Sequence, residues 1–293
     1  MGKALADAFP ICRDTFVELD DALGERLSRL CFEGPEEQLM LTENTQPAIL
    51  AASIAAYRLL ESEAWRPSFV AGHSLGEYSA NVAAGTMSFA DAVRIVRQRG
   101  RYMQEAVPVG VGAMAAIIGL DAEQVAQACA DAAQGEIVSP ANINGGGQVV
   151  IAGARDAVAR AGDRAKALGA RRVLPLPVSA PFHCALMAPA AERLAPALRA
   201  LAVDDPRMPI VANVDAEPKR TARDAIEALI AQMALPVRWE AVVQRLASEG
   251  VTTYVEVGPG SVLSGLVRKI RREATVASFG TPDDWTVVRA LAS

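Results

Sequence analysis

The stretch SFVAGHSLGEYSANVAAG, residues 68–85, constrains the fold of this chain more than any other. Residues 68–71 form a short apolar run, and residues 75–84 carry their apolar side chains at helical spacing. Between the two stands Gly72-His73-Ser74-Leu75-Gly76. A turn that passes directly from strand to helix, and lifts a serine hydroxyl clear of the backbone, needs small residues on both sides of that serine. The pattern predicts a buried strand, a sharp turn and a helix, with Ser74 at the apex. The five-residue pattern alone also arises by chance. The flanking strand and helix are what separate a candidate nucleophile from a serine in a glycine-rich turn.

The rest of the chain alternates strands and helices as that segment does. Residues 1–107 are mostly helical. Thr42-Glu43-Asn44-Thr45-Gln46-Pro47 reads as a helix start with Pro47 in the first turn, the helix running to about residue 61. Ser88 opens a second long helix, with Asp91 three residues on as a near capping box. The order then changes. Strands are predicted at 112–120, 137–142, 148–152 and 171–178, helices at 121–134 and 154–168, and a turn at Asn144-Gly145-Gly146-Gly147. That order, β-α-β-β-α-β, is the ferredoxin-like motif. It predicts a compact small domain at 110–178 inserted into a larger α/β domain made of 1–109 and 179–293. After the insertion, helices at 186–201, 222–233, 236–249 and 262–272 alternate with strands at 210–213, 253–257 and 275–278. Alternation on this scale implies a largely parallel, doubly wound sheet.

Composition narrows the function. The 293 residues suffice for one large and one small domain, and 51% hydrophobic with 22% charged residues implies a sizeable core. A net charge of −5 argues against general nucleic-acid binding. No apolar run reaches the ~18 residues a membrane span needs, and MGKALADAFPICRDTF lacks the apolar stretch of a signal peptide. Cys12, Cys31, Cys129 and Cys184 share no metal or redox spacing and read as reduced core thiols of a cytoplasmic protein. With two histidines in the chain, a zinc site is not expected.

Ser74 needs a base, because a free hydroxyl is a poor nucleophile at neutral pH. His73 adjoins it, but neighbours in an elbow tend to point apart, so His73 reads as a structural histidine. His183, after a strand and before a helix, occupies a loop at a sheet edge, where sites on open α/β sheets gather, and is the better base. Arg99 interrupts a stripe formed by Ala92, Val96 and Met103, while Arg94, Arg97 and Arg101 read as the solvated face. A guanidinium in an apolar stripe either snorkels or meets a buried anion, and its planar fork suits a carboxylate. Asn142 and Asn144 either face a ligand or form the glycine turn. Gln46 and Gln232 are polar residues at helix ends, structural by position alone.

Read in order, TENTQPAIL, GHSLGEYSA, VRQRGRYMQEA, SPANINGGGQVVIAG, SAPFH, QMALPVRW and EVGPG cover nearly the whole chain. Together they resemble the malonyl-CoA:acyl carrier protein transacylases of bacterial fatty acid and polyketide synthesis. The resemblance implies an α/β-hydrolase-like large domain with a ferredoxin-like small one. It implies Ser74 as the acylated nucleophile, His183 as general base and Arg99 as the receptor for the free malonyl carboxylate. It further implies that the Gln232 backbone carbonyl holds the histidine ring, in place of the usual acid, and that the Leu75 amide is an oxyanion donor. Asn142 and Gln46 would line the cleft, and Phe182 would leave little room for an α-methyl group. No cofactor or metal is implied; malonyl-CoA is substrate, and the phosphopantetheine belongs to the acyl carrier protein. Arg268, Lys269, Arg271 and Arg272 in LVRKIRRE are a candidate docking face for that acidic partner, a solvated helix face being the alternative. Monomer is the family default.

Members of that family begin with a strand and a Gly-Gln-Gly-Ser-Gln loop ahead of the segment resembling Met1-Gly2-Lys3. That loop would supply a second oxyanion donor, and the expectation is that the true start lies upstream. Two other functions compete. A serine hydrolase or thioesterase would place its histidine last and near the C-terminus, with an acid before it, and gives Arg99 no clear use. A catalytically impaired carrier-protein-binding scaffold is favoured only by the absent N-terminal loop.

Overall fold

The structure, a computed structural model, describes residues 1–178 and 180–291; Ser179, at the expected domain boundary and in the SAPFH motif, lies outside them. The chain opens with helices α1 (Lys3–Ala8), α2 (Pro10–Leu23), α3 (Leu27–Glu33) and α4 (Glu36–Leu39), which lead into the long α5 (Thr42–Ser62). Pro47 is not in the first turn of α5. It is the sixth residue, inside the helix. A proline there lacks the N–H that would bond the carbonyl four residues back. The freed Glu43 carbonyl instead accepts from Arg97 Nη1 at 3.1 Å. Arg97 is therefore not on a solvated face: its side chain is 12% exposed and also reaches Asn44 and Glu25, whereas Arg94 and Arg101 are about half exposed.

Strand β1 (Val70–Ala71) feeds α6 (Leu75–Ala83), and α7 (Phe89–Ala106) follows, its start fixed by the Ser88 hydroxyl accepting from the Asp91 amide. Then come β2 (Gly112–Ile118), α8 (Ala122–Ala132), β3 (Val138–Gly145), β4 (Gln148–Ala154), α9 (Arg155–Ala167) and β5 (Arg172–Pro175). The four strands form one antiparallel sheet in the order β3-β4-β2-β5, the ferredoxin-like arrangement. β3 runs past Asn142 to Gly145 with bulges on the way, so the turn is shorter than the sequence suggests. β5 stops at Pro175, short of residue 178.

Both faces of this small sheet are buried. Ala115, Ile117, Val149 and Ile151 pack under α8 and α9 with Val125, Cys129, Val158 and Ala161. The alternate residues Met114, Ala116, Val150 and Ala152 pack against Phe182, Cys184 and Leu186. The period of two along β2 and β4 thus builds one face for the small unit's own core and one that backs the His183 loop.

A short 3-10 turn (Ala185–Met187) leads into α10 (Ala188–Arg199), then β6 (Ile210–Val211), β7 (Pro218–Lys219), α11 (Ala222–Gln232) and α12 (Trp239–Ser248). The chain closes with β8 (Thr253–Val257), α13 (Val262–Ile270), β9 (Thr275–Phe279) and α14 (Trp285–Arg289). The helix expected at 236–249 begins only at Trp239, because the segment before it bonds to β3: Val237 N–H donates to the Ala141 carbonyl and Ile143 N–H to the Val237 carbonyl.

Among the described residues the large unit's strands sort into two pieces rather than one sheet. β1 pairs with β6 in parallel and β6 with β7 in antiparallel, while β8 and β9 form a separate parallel pair. β1 and β6 are two residues long, because β1 gives way at Gly72 to the turn. Side-chain packing joins the pieces: Ala71 and Val211 share a core with Tyr254 and Val276, while Val255, Val257, Ala277 and Phe279 face α5 and α7. All four cysteines are free and buried, and burial pushes their thiols up to about 11 or 12. Among the described residues no helix is long and apolar enough to cross a membrane.

The α5–α7 contact that seats Arg99 depends on Gly100. A Cβ there would lie 2.7 Å from the Glu43 Cα, a backbone atom that cannot step aside. Gly100→Ala gains up to about 1 kcal/mol of helix propensity but should still lower stability, by about 1–3 kcal/mol through overpacking. A denaturant midpoint unchanged or raised would contradict this.

Candidate active site

The turn between β1 and α6 is strained at its apex. Ser74 has φ 52° and ψ −107°, a region that side-chain-bearing residues avoid. The two glycines of the motif differ in what they do. A Cβ at Gly72 would run into the Gly76 backbone and lie 2.7 Å from the Glu77 nitrogen, whereas one at Gly76 would meet nothing within 4 Å. Close approach demands Gly72; space does not demand Gly76. The strained turn is tied down across the sheet by Asn213, just past β6. Its Oδ1 accepts from Ser74 N–H at 2.7 Å and its Nδ2 donates to the Gly72 carbonyl at 2.7 Å.

Ser74 Oγ stands 2.6 Å from His183 Nε2. The other ring nitrogen, Nδ1, lies 2.8 Å from the Gln232 carbonyl oxygen, which only accepts. Nδ1 therefore carries the proton, and Nε2 is left as the acceptor for the serine hydroxyl. His183 is 3% exposed. Burial first, and the Arg99 charge second, push its pKa down to about 3, so the ring is a neutral base at physiological pH. His73 turns to other partners. It lies 2.9 Å from Asn144 Oδ1 and packs beside Trp239.

Arg99 does not snorkel: it is 2% exposed, in the buried stripe of α7 with Ala92, Val96 and Met103. Its three hydrogen bonds go to neutral oxygens. Nη1 donates to Gln46 Oε1 at 2.7 Å, and Nη2 donates to Gln232 Oε1 at 2.9 Å and to Ser74 Oγ at 3.1 Å. Its Nε has no partner, and the guanidinium lies 5.3 Å from the Tyr78 ring centroid. Holding a guanidinium away from water with no anion in direct contact is costly.

Two polar residues that the sequence reading passed over complete the network. Glu77, 1% exposed on α6, accepts at Oε2 from Gln232 Nε2 at 2.8 Å and from Asn213 N–H at 3.0 Å. Burial pushes its carboxyl up to about 7. Glu77 had a signal: it is the one charge in the α6 sequence LGEYSANVA, as Arg99 is in its stripe. Asn213 had none, since nothing local marks it until β6 is set beside β1.

The other candidates fall differently. Leu75 is the first residue of α6, so its amide has no intrahelical acceptor, whereas Ser74's own N–H is taken by Asn213. Asn142 sits at the β3 bulge, bridged to Val237, with its buried Oδ1 unpartnered and no bond to the Ser74 network. Phe182, half-buried, packs between the small sheet and the large core. Arg268 and Lys269 end α13 and are exposed; Arg272 is exposed beyond it, and the half-buried Arg271 pairs with Glu273. Lys269 lies against the β3–β4 turn, where a Cβ at Gly146 would be 3.0 Å from its Cβ.

A histidine-served serine beside a buried guanidinium defines an acyl-transferring site, and residues 1–282 match the acyl transferase domain. The chain belongs to that family. It is 51% identical over 280 residues to the malonyl CoA-acyl carrier protein transacylase of Escherichia coli strain K12, covering 95% of this chain and 90% of the relative. It superposes on an acyl carrier protein S-malonyltransferase of Vibrio cholerae with TM-score 0.96 and 47% identity, covering 98% of this chain and 94% of that one. A malonyl-transacylase solved in complex with its holo type II PKS acyl-carrier protein gives TM-score 0.96 and 49% identity, covering 98% and 93%. With these relatives the chain shares an α/β-hydrolase-like large part and a small antiparallel one.

His183 is buried and held far below its usual range, whereas His73 is half-buried and lowered by desolvation. His183 should not titrate between about pH 5 and 8. Nitrogen-15 spectra of histidine-labelled protein should show a neutral His183 ring throughout, protonated on Nδ1. An imidazolium signal from His183 growing in near pH 6.5 would contradict the geometry.

Proposed function

We propose that this protein transfers a malonyl group from malonyl-CoA to the phosphopantetheine thiol of an acyl carrier protein, by way of a malonyl ester on Ser74. The observation that carries this reading is Arg99: a buried guanidinium bonded only to neutral oxygens, 3.1 Å from the nucleophile. The names of the relatives support it.

In the first half-reaction the substrate carboxylate takes Arg99, whose fork Gln46 and Gln232 hold in place. His183 Nε2 removes the hydroxyl proton as Ser74 Oγ attacks the thioester carbonyl. The Oγ–C bond forms, the oxyanion faces the Leu75 amide, and the Gln232 carbonyl steadies the imidazolium at Nδ1. Collapse breaks the C–S bond, and His183 returns the proton to the departing CoA sulfur. The second half-reaction runs the same steps backward with the carrier's thiol: His183 takes its proton, the thiolate attacks the ester, and Ser74 recovers its hydrogen. The whole exchange is ping-pong and consumes no net proton. Phe182 limits substitution at the α-carbon, and Asn142 lines the acyl cleft. The chemistry needs no cofactor, and we take the enzyme to be a cytoplasmic monomer.

The acidic carrier docks on the basic end of α13. Lys269 abuts the β3–β4 turn, and that turn follows Asn144, the partner of His73 next to Ser74, so the patch adjoins the site's own scaffold.

Intact-mass spectrometry after brief exposure to malonyl-CoA should show one malonyl group on the protein and none on Ser74→Ala. Acetyl-CoA should acylate at least about tenfold more slowly, since it forgoes a charged hydrogen bond. Folded protein that gains no mass would refute the reading. Charge reversal at Arg268 and Lys269 should raise KM for the carrier protein and leave KM for malonyl-CoA unchanged. An unaltered carrier KM would remove the patch from the interface.

A further inference from the structure

The mechanism uses Arg99 and Gln232, and Asn213 tethers the Ser74 turn, but Glu77 is left without a task although its carboxyl joins this network. One oxygen, Oε2, accepts from both Gln232 Nε2 and Asn213 N–H. Gln232 spends its other Nε2 hydrogen on the Ser74 carbonyl at 2.8 Å and turns Oε1 toward Arg99 at 2.9 Å. Its amide dipole therefore lies with the oxygen toward the guanidinium and the NH2 toward the carboxylate. Two donors converging on Oε2 favour the ionised carboxylate, and a proton taken up on Oε1 would leave both of those bonds in place.

We propose that Glu77 is a positioning residue: the resident counter-charge of Arg99 in the free enzyme, acting through the Gln232 amide, which takes a proton from solvent when a substrate carboxylate seats on Arg99. The inference rests on the carboxylate-binding role of Arg99 given above. In the free enzyme the buried site holds one cation and one anion, bridged by a neutral amide. A bound malonyl group brings a second anion to the same guanidinium. Like charges in a buried site cannot both stay ionised without penalty, and the acyl carboxylate makes the direct contact, so Glu77 is the one to neutralise.

The groups facing Glu77 fit this assignment. Arg99 of α7 favours its charge, and Asp215, in the loop after β6, opposes it. α11 presents the neutral Gln232, and His183 is neutral. Tyr78, beside it on α6, is kept protonated by burial, its pKa pushed up to about 12. Burial already places Glu77 near 7, so a second anion needs to move it only modestly to change its charge at physiological pH.

The acyl exchange itself is proton-neutral, so any uptake on acylation reports this linkage. The test mixes the full chain with malonyl-CoA in weakly buffered indicator solution across a pH series. The acyl-enzyme is counted by intact mass in the same samples, and ionisation of free CoA is subtracted. Uptake should peak between pH ~7 and ~8, at about half a proton per acyl-enzyme for a tenfold rise in proton affinity, and fall toward zero below pH ~6, where Glu77 is already protonated. Glu77→Gln should form acyl-enzyme without uptake. If that variant does not fold, the pH dependence of the unmutated protein decides. Acyl-enzyme formed with no uptake at any pH, or equal uptake in Glu77→Gln, overturns the inference while leaving the transfer reading intact. Absence of acyl-enzyme overturns both.

Discussion

A guanidinium held out of water is the constraint on which the rest of this site depends. Arg99 comes from the interior stripe of α7, and no single neighbouring element satisfies it. Gln46 comes from α5, Gln232 from the end of α11, Ser74 from the turn before α6, and the Tyr78 ring from α6 itself. Each contact needs its helix at the right depth, which explains the tight α5–α7 approach at Gly100 and the closeness of Gly72 to Gly76. Removing any one of these oxygens would take a partner from a buried donor, so the helices of the large unit are locked together through one buried charge.

The histidine facing Ser74 is held by a different device. His183 has φ 59°, in a loop between β5 and α10, and nothing in that loop alone would fix its ring. One face of the small sheet does so from behind, through Met114, Ala116, Val150 and Ala152 against Phe182, Cys184 and Leu186. The Gln232 carbonyl does so from the side. Gln232 thereby serves two members of the site at once, its backbone oxygen orienting the imidazole and its side chain joining Arg99 to Glu77. A carbonyl in place of a carboxylate also keeps the histidine neutral, since no anion stands by to stabilise its charged form.

Much of this was legible beforehand where chemistry and periodicity agreed. The turn at Ser74, the stripe broken by Arg99 and the β-α-β-β-α-β order are local patterns, and local patterns survive folding because they are set by side-chain spacing along one element. The readings that failed were those in which a distant partner overrode a local rule. Pro47 sits inside α5 because Arg97, fifty residues on, takes the carbonyl it frees. The helix after Pro236 starts late because β3 bonds its first residues. The parallel pairing expected of the large unit, by contrast, holds in β1–β6 and β8–β9, and packing of Ala71 and Val211 beside Tyr254 and Val276 joins the two pieces.

The sequence by itself determined which residue types could act: one serine on a glycine-bounded turn, one loop histidine, one arginine on an apolar face. It also determined the order of elements that would carry them. Only the tertiary structure decided that Ser74 and His183, 109 positions apart, lie within hydrogen-bond reach, and that Glu77 and Asn213 stand behind them. The reason is physical. A residue's type and its face of a helix are fixed by near neighbours, whereas burial, the partner of a buried charge and the tautomer of a histidine are set by groups that arrive from elsewhere in the chain.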